Sequence, residues 1–128
     1  MDLNINILIV DDFPGMRGLI KGILKNMGFN NFFEAQDGAI ALSLIEKEKI
    51  DLIISDWIMP NMTGLDLLKA IKGSERLKGI PFLIITADGS KENVLAAIEA
   101  GVSSYIVKPF TPATLQAKVQ NVLKRRGK

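Results

Sequence analysis

The chain has 128 residues, with sixteen Lys plus Arg against fourteen Asp plus Glu, a net charge of +2 that is too even to argue for nucleic acid by itself. It holds neither histidine nor cysteine, which excludes Ser-His-Asp and Cys-His catalytic sets, the usual Cys/His zinc sites, haem held by a histidine, and any disulfide. Chemistry is left to carboxylates, hydroxyls, lysine or a bound ion. The length matches one domain, expected to span residues 1–128. The opening Met-Asp-Leu-Asn-Ile-Asn has no basic start, apolar stretch or cleavage site, so no signal peptide and a cytoplasmic location are expected. No apolar string approaches the ~18 residues of a membrane span.

In chain order, residues 5–10 form an apolar run that reads as a strand. Met16, Leu19, Ile20, Ile23, Leu24 and Met27 then recur at helical spacing as one apolar face, with Pro14 just inside the start and Gly28 at the C-terminal cap. A second strand is expected at 32–35 and a helix over 39–47. A third strand at 51–55 leads to a helix over 65–71 that Thr63 can cap. Residues 81–86 read as a fourth strand, and 91–100 as a helix between Ser90 as cap and Gly101 as stop. Residues 104–107 are the fifth strand. Thr111 caps and Pro112 begins the last helix, whose buried stripe is Leu115, Val119, Val122 and Leu123. The basic tail of Lys124, Arg125, Arg126 and Lys128 complements the dipole of that helix end. This alternation specifies an α/β fold, a five-stranded parallel sheet with right-handed crossovers and helices on both faces.

In such a sheet the ligand site lies beyond the carboxyl ends of the strands. There the chain carries Asp11 and Asp12, Asp56, Thr86, and Lys108-Pro109, in that order. Three carboxylates on one rim repel unless a cation joins them, and oxygen-only ligands with room for water and phosphate suit Mg²⁺. On these residues alone a second reading stands beside it, with Asp11 and Asp12 as a solvated turn and Asp56 as a helix start. Lys108, taken singly, reads as an ordinary surface lysine. With Thr86 it offers a point charge and a hydroxyl to a phosphoryl group, and the whole set contains the parts needed to form an aspartyl phosphate.

The ordered set Asp11-Asp12, Asp56, Thr86-Ala87 and Lys108-Pro109 resembles the receiver domain of bacterial two-component response regulators, over the whole chain. The runs SDWIMPNMTG, TADGSKENV and YIVKPFTPATL, with GFNN at 28–31, are most similar to single-domain chemotaxis members of that family. The resemblance implies a flavodoxin-like (βα)5 fold in which Asp56 accepts a phosphoryl group, Asp12 binds Mg²⁺ directly, Asp11 supports the ion partly through water, and Ile58 contributes its backbone carbonyl. Thr86 and Lys108 would hold phosphoryl oxygens, and the Lys108-Pro109 bond would be cis. The implied donor is a phosphohistidine on a CheA-like sensor histidine kinase, and a phosphatase is a further partner. Tyr105, by itself an amphipathic ring at a sheet edge, would be an aromatic switch that turns into space vacated by Thr86. The implied output face, on the fourth helix, fifth strand and fifth helix, includes Lys91, Val94, Ile98, Tyr105 and Lys118. Its partner would be a FliM-like flagellar motor switch protein. Such a chain is expected to be a monomer without nucleic-acid or membrane partners, and a phosphoacceptor with self-directed phosphotransfer and autodephosphorylation rather than an enzyme.

Some positions depart from the family pattern. Ile58 stands two residues after the phosphoacceptor, where a polar residue is common, and is expected to alter phosphoryl lifetime. Thr63 replaces a common Asp, and caps a helix nearly as well. Asp88, two residues after Thr86, is expected to help position water. Other readings are a stand-alone receiver serving another two-component pathway or a phosphate sink, and a degenerate receiver used only for docking, which the filled chemical positions oppose. A Mg-dependent phosphatase of the haloacid-dehalogenase type would carry a second Asp two residues after its nucleophile, where this chain has Ile58 or Phe13. A flavin or nucleotide binder would need glycine-rich phosphate loops that the sequence lacks. A DNA-binding regulator is opposed by a chain that ends soon after the fifth helix.

Overall fold

The computed structural model of the protein describes residues 2–87 and 89–126, so Asp88 and Lys128 lie outside the described residues. Strands and helices alternate: β1 (Asn6–Val10), α1 (Pro14–Asn26), β2 (Asn31–Ala35), α2 (Gly38–Lys47), β3 (Leu52–Asp56), α3 (Gly64–Lys72), β4 (Phe82–Thr86), α4 (Lys91–Glu99), β5 (Ser104–Val107) and α5 (Pro112–Arg126). All strands pair in parallel in the order β2-β1-β3-β4-β5. The chain runs outward from β1 to β2 and then crosses back to β3. This reversal opens a crevice at the carboxyl ends of β1 and β3. Val10 pairs with Ser55, Asp56 with Ile85 and Thr86 with Val107, which brings those strand ends to one level.

The near-continuous apolar strands are explained by burial on both faces. Ile7, Ile9, Leu52, Ile54, Leu83 and Ile85 pack on α1 and α5, while the alternate residues Leu8, Val10, Ile53, Phe82 and Ile84 pack on α2, α3 and α4. Each such Leu or Ile side chain, fully removed from water, stabilises the fold by about 1.5–3 kcal/mol. β2 is an edge strand and follows a different pattern, with Asn31 and Glu34 exposed and Phe32 and Phe33 half-buried on opposite faces.

Leu19 corrects the expected α1 face: it is 51% exposed. The buried stripe centres on Ile20, Ile23 and Leu24, and Leu19 falls about 90° from their mean direction at 100° per residue, beyond the edge that meets the sheet. Strand and helix boundaries move by at most one residue, the consequential shift being that Asp56 is the last residue of β3 rather than the first beyond it.

Local chemistry explains the helix boundaries. Pro14 opens α1, and Gly28 and Gly101, with φ of 104° and 93°, take the left-handed conformation just after the caps of α1 and α4. Thr63 and Asp66 form a reciprocal capping box on α3. Ser90 Oγ accepts from Asn93 N–H at 3.3 Å and Thr111 Oγ1 from Thr114 N–H at 3.1 Å. Asp37, which sequence reading passes over, caps α2 by accepting from Ile40 N–H at 2.8 Å. That bond, followed by one from Asn61, holds the Asp37 carboxyl below its usual range. Among the described residues no helix is long and apolar enough to cross a membrane.

Candidate functional site

Asp11 follows directly on β1. Its N–H donates to Ala35 O at 3.0 Å, tying the strand exit to β2, and its Oδ1 accepts from Phe13 N–H at 2.9 Å. The side chain is 3% exposed. Arg17 adds a second constraint that sequence reading misses: its Nη1 donates to the Asp11 carbonyl at 2.6 Å and its Nε to Glu34 Oε1 at 3.0 Å. Asp56, half-buried at the end of β3, accepts from Trp57 N–H at 2.8 Å through Oδ1. Asp12 is exposed. One carboxylate oxygen from each of Asp11, Asp12 and Asp56 lies within 4.8 Å of the others.

Lys108 enters from the β5 side. Its N–H donates to Thr86 O at 2.7 Å, the Lys108-Pro109 peptide is cis, and Nζ sits 3.4 Å from Asp11 Oδ2 and 3.5 Å from Asp56 Oδ2. One ammonium thus bridges two carboxylates that would otherwise repel. Thr86, at the end of β4, is buried.

Burial raises the Asp56 carboxyl above its ordinary 3.8; Lys108 opposes this, and the like charge of Asp11 adds to it. With the folded value above the unfolded one, the unfolded chain releases its proton first. Stability contributed by Asp56 is therefore intact below about 3.8 and is lost as pH rises through the folded value. Asp56→Asn is expected to melt a few degrees above wild type at neutral pH without divalent ions, with the gap closing in acid. Thermal melts across pH check this; a gap independent of pH would contradict it.

The donor set fits a hard divalent ion. Octahedral Mg²⁺ with ligands at about 2.1 Å places its oxygens roughly 3–4 Å apart, close to the spacing here, and exposed Asp12 leaves the site open to water. All three acidic residues and Lys108 expected from the sequence are brought together. Ile58 lies two residues beyond Asp56 in the β3–α3 loop, with its side chain 63% exposed.

Tyr105 is half-buried on β5, paired with Ile84. It lines a cavity of about 10 Å³ with Trp57, Ile84, Thr86, Asn93, Val94 and Ala97, barely room for one water. Lys118 Nζ lies 5.9 Å from the centroid of its ring. Of the expected output face, Val94 thus joins the cavity wall, whereas Lys91 and Ile98 stand exposed on α4.

The response regulator receiver domain family matches residues 7–120. The chain is 48% identical to the chemotaxis protein CheY-3 of Vibrio cholerae, covering 98% of this chain and 96% of the relative. It is 45% identical to the chemotaxis protein CheY of Pseudomonas aeruginosa, covering 93% and 96%. Among solved structures it is similar to the receiver domain of a sensor histidine kinase from P. aeruginosa PAO1, which has a magnesium ion coordinated in its active-site cleft. That pair shares 26% identity and a TM-score of 0.85, covering 94% of this chain and 98% of the other.

Proposed function

The chain belongs to the response regulator receiver domain family, and from that premise we propose that Asp56 accepts a phosphoryl group from a sensor histidine kinase in a cytoplasmic chemotaxis pathway. The observation that carries this reading is the convergence of Asp11, Asp12, Asp56 and Lys108 at one rim of the sheet. A carboxylate oxygen of Asp56 forms a bond to phosphorus as the phosphorus–nitrogen bond to the kinase histidine breaks, and the electron pair leaves on the imidazole nitrogen. Lys108 Nζ, already beside Asp56, balances charge on the transferred oxygens, and the Thr86 hydroxyl donates to one of them. Asp11, Asp12, Asp56 and the Ile58 carbonyl would hold Mg²⁺, which would supply further charge neutralisation. The magnesium-bearing receiver neighbour supports that assignment.

Signal output follows from the cavity that Thr86 and Tyr105 share. Movement of the Thr86 hydroxyl toward a phosphoryl group enlarges the space into which the Tyr105 ring turns, changing the face that includes Lys91, Val94, Ile98, Tyr105 and Lys118. That face binds a flagellar motor switch protein, a reading supported by the chemotaxis relatives. Intact-protein mass spectrometry with a small phosphodonor tests the chemistry. One Mg²⁺-dependent phosphoryl adduct is expected, and none in Asp56→Asn. An adduct that survives the substitution would overturn the assignment.

A further inference from the structure

A second concave site lies apart from the acidic rim, where the start of β5 meets the last turns of α5. It is an open groove of about 380 Å³, lined by Ser103, Ser104, Lys118, Asn121, Lys124 and Arg125. The α5 residues recur at spacings of three, four and seven, so one helix stripe faces the strand. The lining contains no carboxylate, and among the described residues none of its three cations takes part in an ion pair. Two of those cations are held in place. Arg125 Nη2 donates to Ser103 O at 2.8 Å, and Lys118 Nζ lies over the Tyr105 ring. The Ser103 hydroxyl oxygen already accepts from Phe82 N–H at 3.0 Å, which leaves its O–H to donate.

Three cations, two hydroxyls and an amide make a lining rich in donors, suited to phosphate oxygens. Lys118 and Lys124 are separated by about 9 Å of axial rise, a span their side chains can close on two linked phosphate groups while Arg125 stays bonded to Ser103 O. We propose that this cleft binds a small molecule bearing a diphosphate group. Lys118 links this cleft to the other cavity, since its Nζ lies over the ring of Tyr105, which lines the Thr86 cavity.

The test is a titration of the full chain with pyrophosphate, followed by amide chemical shifts, in divalent-free buffer at about 150 mM salt, where exposed charges are screened over ~8 Å. Saturable shifts confined to the six lining residues are expected, with orthophosphate binding more weakly. Lys124→Gln is expected to weaken binding on the order of fivefold. Lys25→Gln, which removes the same charge from α1, should leave it unchanged. Shifts that do not saturate, that centre on Thr86 and Lys108, or that weaken equally in Lys25→Gln would overturn the proposal. So would tighter binding at this cleft by an acidic peptide than by pyrophosphate. None of these outcomes bears on whether Asp56 is phosphorylated.

Discussion

Gly64→Ala is expected to cost about 2–3 kcal/mol and to lower the melting temperature by roughly 6–12 °C. Gly64 is the first residue of α3, and its N–H donates to Trp57 O at 2.9 Å. A Cβ there would collide with the Asp56 carbonyl and lie 3.0 Å from Trp57 Cα. Both obstacles are backbone, so no rotamer change relieves them. The start of α3 must move off the end of β3, and Asp56, whose Oδ1 is held by Trp57 N–H, moves with it. Divalent-ion affinity should therefore fall together with stability. Gly79→Ala is the control, because nothing lies within 4 Å of its added Cβ. Thermal denaturation of both variants decides the matter: a Gly64→Ala protein melting with wild type would show that the close approach does not constrain the site.

Removing the ammonium at Lys108 is the second large effect. In Lys108→Met, the two carboxylates bridged by Nζ lose their common partner while Asp11 remains almost fully buried. Breaking a fully buried pair costs 3–5 kcal/mol, and the access to water beside Asp12 reduces the expected cost here to about 1–3 kcal/mol at neutral pH. The cost should shrink when Asp56→Asn is combined with Lys108→Met, since the neutral amide no longer repels Asp11. Formation of the phosphoryl adduct should slow at least about tenfold in the single variant, because charge on the transferred group loses a preorganised donor. Denaturant titration in a double-mutant cycle and the rate of adduct formation read the two effects separately. Additive stability changes would contradict the bridging role.

The alternation of periods made the architecture legible, because strands buried on both faces need continuous apolar runs and the helices between them need one stripe. Asp11, Asp12, Asp56 and Lys108 were legible as a set for a related reason: a parallel sheet aligns its strand ends, so residues far apart in sequence share a rim. Arg17 was not legible. Its contact is with the Asp11 backbone carbonyl, an acceptor every residue carries, and it depends on how α1 leans over the β1 exit. Asp37 was passed over although the start of α2 was read to within one residue, and its cap is plain from the Ile40 N–H bond. Leu19 misled because helical spacing alone does not say how wide a stripe the sheet and α5 can cover. The diphosphate cleft was equally hidden, since the basic residues of α5 read fully as partners of a helix dipole until Ser103 and Ser104 are seen opposite them.

A magnesium titration bears most directly on the acidic rim. Trp57 is the chain's one tryptophan, it is buried, and its backbone N–H donates to the Asp56 carboxylate, so its fluorescence should register an ion bound there. A single saturable transition with one ion per chain is expected, shifted at least about tenfold to higher Mg²⁺ in Asp12→Asn, since loss of one charged ligand weakens an oxygen-only site steeply. A signal that never saturates, or a midpoint unchanged by Asp12→Asn, would contradict the assignment of these three carboxylates to one divalent ion.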